Sequence, residues 1–323
     1  MEEIIKLLEE KRRRIILKRI ITICITLVAL VILIFFAINE MNSEPTSSGF
    51  SLFETGTKTT GRRDMTWLVI AFGVGTIALF IYAFRFRTES KVYATDCKEL
   101  LIRDNVKRYF GNASYDPEGM SEKRFKDSNL YMSYNEYHSS DLITGKMKDQ
   151  AFSFSNVRAE ISYSDGETNS TTSELIFGGY MIVLTLKKSF NSQTFIYKNT
   201  KTVNKQYKRR LSLWGAPKAK EIKTENADFD KQFIIKAESK EEAASFLTLK
   251  MMDLLMDLSR ELDFSIAIHS DVVYIGIASK EILFNFSVYK KLEIEKIKEI
   301  NLQFQKLTGL IDQMIMTINS LNE

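Results

Sequence analysis

Histidine, cysteine and proline are scarce in this 323-residue chain, at two, two and three residues, and their scarcity removes whole classes of chemistry. His138 and His269 are too few for a histidine-based metal centre, and each is expected to be an ordinary surface or strand residue. Cys24 and Cys97 provide neither a disulfide framework nor a cysteine zinc site, which suits a reducing compartment. His269, Ser270 and Asp271 are adjacent, but neighbours on one turn cannot converge as nucleophile, base and orienting acid must. No glycine-rich phosphate loop of Walker or Rossmann form occurs, and no zinc-protease helix. Asp228, Asp230, Glu241 and Glu242 gather in sequence, yet strand alternation would split the first pair's neighbours, and helix capping accounts for Glu242. No catalytic, cofactor-binding or metal-ligating residue is therefore assigned. No cofactor or small-molecule ligand is expected, and the chain reads as a non-enzyme.

Charge is also missing from two long apolar runs, Ile20 to Ile38 and Met65 to Phe84. Each has the length of a helix that crosses the hydrocarbon core. The first is too long for the apolar part of a signal peptide, and no small-x-small cleavage site follows it. Thr22 and Thr26 can bond back to the backbone inside such a helix, so they add little insertion cost. In the second, Trp67 and Tyr82 stand near the ends, where amphipathic rings favour the headgroup boundary. Neither run carries the intramembrane charge that marks a transport path.

What is present orients these runs. Lys11, Arg12, Arg13, Arg14, Lys18 and Arg19 precede the first, and Arg85, Arg87 and Lys91 follow the second. By the positive-inside rule both termini are cytoplasmic and residues 39–64 form an outward loop. The expected layout is a basic amphipathic segment over 1–19, a first span over 20–38, the loop over 39–64 and a second span over 65–84. A cytoplasmic domain over 85–292 and a C-terminal helix over 293–323 follow.

Within the domain, the apolar spacing from Val92 to Phe110 predicts a helix with one buried face. The turn chemistry of YDPEG, Tyr115 to Gly119, ends it. Ala151 to Tyr163, Ser173 to Leu186 and Gln193 to Tyr197 read as strands, with SDGETNSTTS (164–173) as a connecting turn. Asp228 to Ala237 reads as a further strand. Ser239 with Glu242 three residues on has the form of a capping box, opening a helix to about Leu262. Phe264 to His269 and Val272 to Ala278 read as a hairpin turning at Ser270 and Asp271. The fold class is α+β: a two-helix transmembrane hairpin, then a mainly antiparallel sheet covered by a helix.

The order of several blocks then resembles a known family. YDP (Tyr115 to Pro117), SSDLITG (Ser139 to Gly145), FSFSNVRAEI (Phe152 to Ile161), LIFGGYM (Leu175 to Met181), ENADFDKQFIIKAES (Glu225 to Ser239) and VVYIGIASKEILF (Val272 to Phe284) follow one another as in the bacterial domain of unknown function 3137. The resemblance covers most of residues 92–292. It implies a cytoplasmic domain behind one or two spans, here in a bacterial inner membrane, and it implies no reaction. Ser140 and Asp141 stand where typical members have an acidic pair, and Gly178 stands where they have a basic residue before Gly179. No charged site is carried over at either place.

Two further patterns are candidates for interaction. Lys198, Lys201, Lys205, Lys208, Arg209, Arg210, Lys218 and Lys220 make the stretch 198–223 strongly basic, with Tyr207 and Trp214 interleaved. A solvated hairpin whose charges protect an edge and contact with the anionic inner leaflet are its readings. Nucleic acid is not expected, since it needs a continuous basic face and exposed aromatics. In the last helix, Ile297, Ile300, Phe304, Leu307, Ile311, Met314, Ile318 and Leu321 alternate spacings of three and four, a heptad seam. Self-association or a partner helix would use this seam, and packing on the chain's own domain would show the same stripe. The expected function is a membrane-anchored binding or scaffold module. The alternatives are a membrane-bound hydrolase whose carboxylates converge only in the fold, and an envelope sensor acting through its outward loop.

Overall fold

The computed structural model describes residues 2–42, 66–131, 134–165, 170–199, 219–280 and 283–320. The chain divides into two units, Met1–Asp96 with Phe286–Leu292, and Cys97–Asn285 with Glu293–Glu323. The first contains α1 (Glu2–Asn42) and α2 (Thr66–Cys97). Thr22 and Thr26 donate to the carbonyls of Lys18 and Ile23 at 3.0 and 2.8 Å, so both hydroxyls are satisfied inside an apolar helix. The N-terminal part of α1 and the C-terminal part of α2 meet through the ion pairs Lys11–Asp96 and Lys18–Glu89. Arg19 lies 4.4 Å over the Phe86 ring and donates to the Tyr289 hydroxyl. Glu9 accepts from Arg12 and from the Leu292 amide, tying the 286–292 segment to α1. Among the described residues, one helical stretch is long and apolar enough to cross a membrane, Glu3–Ile32.

The second unit is a mixed helix and antiparallel sheet domain. It opens with a π-helical turn, Lys98–Ile102, and α3 (Arg103–Phe110). The helical expectation for 92–110 is met in the backbone, with the wider turn setting Leu101 and Ile102 in the core while Leu100 stays exposed. Next come β1 (Ser114–Asp116), α4 (Glu122–Asp127), β2 (Glu136–Met147), β3 (Gln150–Asp165) and β4 (Ser170–Lys198). After β5 (Lys220–Ile222) the chain forms α5 (Ala227–Gln232), β6 (Phe233–Ala237), α6 (Lys240–Phe246) and α7 (Leu249–Ser259). β7 (Asp263–Ala278) and α8 (Ile294–Asn319) complete it.

The strand order is β1-β2-β3-β4-β6-β5, with β7 also paired to β4. β4 is the spine: its first half pairs with β3, its last residues pair with β6, and β7 runs along most of its length. Alternation assigns the two faces. Val157, Phe177, Met181, Phe195 and Tyr274 share one core with Phe125 of α4 and with Tyr131, Tyr134 and Tyr137. On the other face, Phe110 of α3 and Phe284 meet Phe152 and Phe304, and Phe304 also stacks on Tyr109 at 5.5 Å.

Five expectations are corrected. Ser173–Leu186 and Gln193–Tyr197 are one continuous strand. The supposed turn at 164–173 is strand at both ends, and residues 166–169 lie outside the described residues. Phe264–Ala278 is also one strand instead of a hairpin. Ser270 adopts φ 53° opposite Phe190, and the register shifts on both sides of that pair because β4 carries the extra residues, so β7 passes through the turn residues and continues in the same direction. Asp228–Gln232 is helical because Asn226 caps it, accepting from the amides of Asp228 and Phe229, and only Phe233–Ala237 is strand. The helix expected from Ser239 to Leu262 is two helices, because Thr248 starts a second one by accepting from the Met251 amide.

Candidate functional site

The densest polar cluster in the domain centres on Asp141, whose side chain is fully buried. Two residues of β2 oppose one of β3 between Ser140 and Ile143, a bulge that turns Asp141 out of the ladder with φ 62°. Its amide donates to the Pro117 carbonyl at 3.2 Å. Four donors converge on the carboxylate. Lys98 Nζ, from the π-helical turn, lies at 2.8 Å and the Tyr115 hydroxyl of β1 at 2.6 Å. The Ser140 hydroxyl is at 2.6 Å and Asn156 Nδ2 of β3 at 3.0 Å. Asn156 also bonds both backbone groups of Leu283. Burial and the neighbouring Asp141 carboxylate push the Tyr115 phenol well above its usual range, so it stays a donor. Gly119, at φ 88°, passes so close that a Cβ there would overlap the Ser140 amide.

This arrangement ties the entry turn to the sheet around one buried charge. Lys98, Ser140 and Asn156 all donate to Oδ2, and Tyr115 donates to Oδ1, so the charge is held by donors of its own domain with no exposure to water. The cluster joins the entry turn, β1, β2, β3 and the loop at Leu283. Sequence reading missed it because its partners are 43, 26 and 15 positions from Asp141. The one available signal was its place in the SSDLITG block.

A second site lies in the first unit. Beside the Lys18–Glu89 pair, which is 3.6 Å apart, a cavity of about 330 Å³ opens between α1 and α2. Lys18, Arg85, Glu89 and Tyr82 supply its polar wall, and Ile21 and Phe86 its apolar wall. The Tyr82 hydroxyl is buried without a hydrogen-bond partner. Sequence reading treated Tyr82 and Arg85 separately, as boundary anchor and orienting charge. Their convergence with Lys18 depends on the pairing of two segments more than sixty residues apart in sequence.

The residues singled out from sequence are placed as follows. Of the basic stretch, Lys201, Lys205, Lys208, Arg209, Arg210 and Lys218 lie outside the described residues. Lys198 is turned inward, donating to the Ser259 and Leu262 carbonyls at 2.6 and 3.0 Å at the end of α7, and Lys220 is exposed on β5. The described seam residues Ile297, Ile300, Phe304, Leu307, Ile311, Met314 and Ile318 are all buried within the chain, and Leu321 lies outside the described residues. A partner on that seam would have to displace the domain's own packing. His138 is exposed, and His269 bonds the Asp127 carbonyl at 2.6 Å and stacks on Tyr274. Glu242 receives the Ser192 amide and hydroxyl at 2.8 and 2.6 Å, so it braces β4 as well as standing in the first turn of α6.

Taken together these features define an α+β domain carried behind an apolar N-terminal helix. Residues 175–315 match the family described as "Protein of unknown function (DUF3137)". The match bears out the family resemblance, beginning later in the chain and reaching further into α8 than the blocks quoted for it. No curated protein matches the chain. Among solved structures, the crystal structure of the mycobacterial trehalose monomycolate transport factor A, TtfA, is similar with a TM-score of 0.31 and 9% identity. That likeness covers 66% of this chain and 93% of that one, and at this level it carries no functional argument.

Proposed function

We propose that the chain is a membrane-anchored binding module, with α1 and α2 both spanning the cytoplasmic membrane of a bacterium and both termini in the cytoplasm. The observation that carries this reading is the uncovered apolar surface of α1, where Ile25, Val28, Val31 and Phe35 are each more than half exposed. Side chains of this kind in such number need hydrocarbon around them. Ile77, Phe80, Ile81 and Phe84 of α2 are exposed in the same way, which supports the second span. The basic flanks on Lys11 to Arg19 and on Arg85 to Lys91 support the orientation. Binding is favoured over catalysis because the domain's buried carboxylate is closed off from water and engaged by four donors of its own fold.

Single cysteines introduced at Ser47 and Ser320 in a background lacking Cys24 and Cys97 test the topology. A membrane-impermeant maleimide should label Ser47→Cys in cells with an opened outer barrier, and Ser320→Cys only after the inner membrane is permeabilised. Equal labelling of both positions in unpermeabilised cells would sink the two-span reading. Crosslinking in intact cells followed by purification in mild detergent tests the binding role, and its absence of any reproducible partner would count against a scaffold.

A further inference from the structure

We propose that the cavity between α1 and α2 holds the phosphodiester headgroup of an anionic glycerophospholipid from the inner leaflet. The inference rests on the two-span reading, which sets Lys18 just before the first span and Arg85 just after the second, level with the headgroups. The cavity is amphipathic in the sense this position requires. Ile21 and Phe86 continue the apolar surface of the spans, and Lys18, Arg85 and Glu89 face the aqueous end. Glu89 is engaged with Lys18 at 3.6 Å. Arg85 has no hydrogen-bonding or carboxylate partner among the described residues.

The charge balance selects the ligand class. Two cations and one anion leave a single net positive charge, which a phosphodiester of one negative charge complements. A phosphomonoester would bring a second negative charge against Glu89. Arg85 is the natural anchor, since a guanidinium donates two parallel bonds to phosphate oxygens. The volume of about 330 Å³ accommodates a headgroup with the start of its acyl chains, which would leave along Ile21 and Phe86 into the bilayer. Tyr82 supplies a further donor whose hydroxyl now lacks an acceptor. Arg19 does not line the cavity; its guanidinium lies over the Phe86 and Tyr289 rings instead.

The test uses full-length protein in mild detergent, titrated with phosphatidylglycerol and followed by native mass spectrometry. Wild-type protein should retain one lipid, and Arg85→Gln should weaken that adduct at least tenfold. Tyr82→Phe should weaken it about threefold. Arg14→Gln, a basic residue away from the cavity, should leave it unchanged. Circular dichroism of each variant must match wild type, and Arg85→Lys should restore part of the affinity. Equal losses in Arg85→Gln and Arg14→Gln would overturn the site in favour of diffuse charge attraction. Equal retention of phosphatidylcholine would overturn the headgroup assignment, and displacement by millimolar inorganic phosphate would assign the cavity to a free anion. Any of these results with the Ser47 and Ser320 labelling pattern intact refutes the lipid site alone. A failed labelling pattern refutes the reading beneath it.

Discussion

Replacing Phe304 by alanine separates the two uses a heptad seam can have. The ring is fully buried and stacks on Phe284 at 4.8 Å and Tyr109 at 5.5 Å, with Phe110 at 6.2 Å. Truncating a buried phenylalanine costs about 3–5 kcal/mol, and ring pairs add about 0.5–1.5 kcal/mol beyond their area. With three ring neighbours lost together, about 4 kcal/mol is expected, a large share of a domain stability of about 5–15 kcal/mol. Urea unfolding of the full-length protein in detergent, followed by near-ultraviolet circular dichroism, reads this directly. With a slope of about 2–3 kcal/mol per molar, the midpoint should fall by about 1.3–2 M. Leu302, exposed on the same helix, should change stability by less than about 0.5 kcal/mol when made alanine. Phe304→Leu should fall between. If Phe304→Ala costs under about 1 kcal/mol while a crosslinked oligomer disappears, the seam serves another chain and the packing argument fails.

Gly309 is exposed inside α8 with nothing within 4 Å of a Cβ built on it, so Gly309→Ala should raise stability by about 1 kcal/mol in the same urea assay. Asp141→Asn leaves the Lys98 ammonium without its counter-charge. Because Lys98 keeps some contact with water, the loss should be about 3 kcal/mol, the lower end for a broken buried pair. Adding Lys98→Met to Asp141→Asn should recover part of that loss in a double-mutant cycle. The Ser192 hydroxyl, and then its amide, hold the Glu242 carboxyl below its ordinary value of 4.5. A group acidified by folding contributes stability that is complete above its unfolded pKa and fades as pH falls through the folded one. Wild type should therefore exceed Glu242→Gln in melting temperature near neutrality, and the two should converge as the pH falls below the ordinary carboxylate value of 4.5 and through the lower folded one.

The sequence made periodic and locally capped elements legible and hid those decided by distant partners. The α8 stripe could be read residue by residue, because each turn of a helix repeats the same demand. Ser239 was legible as a cap for a similar reason: it accepts the Glu242 amide only three residues on. Ser270 and Asp271 misled, since turn-forming residues can sit inside a continuous strand, and only the pairing of both halves of β7 with β4 decides against a reversal. The polar-looking stretch from Phe125 to Tyr137 concealed an aromatic cluster, because Phe125 meets Tyr131, Tyr134 and Tyr137 at spacings that match neither helix nor strand, and Phe177 of β4 completes the stack. Asp141 and the cavity at Arg85 were invisible for the same reason. Each is assembled from residues whose spacing in sequence carries no information about their meeting.

The length of β4 also sets a schedule for synthesis. Gly179 in its first half pairs with Ala278 of β7, so that pairing cannot close until about a hundred further residues have been made. At about 5–20 residues per second this takes on the order of 5–20 s. Through that interval one side of β4 has β3 as a partner while the side reserved for β7 presents bare amides and carbonyls to its surroundings. The apolar N-terminal helix will by then have emerged, and if it has entered the bilayer the nascent chain waits at a membrane surface instead of diffusing among other unfinished chains. Anchorage would thus protect the longest strand of the domain from mispairing before the last helix exists to cover it.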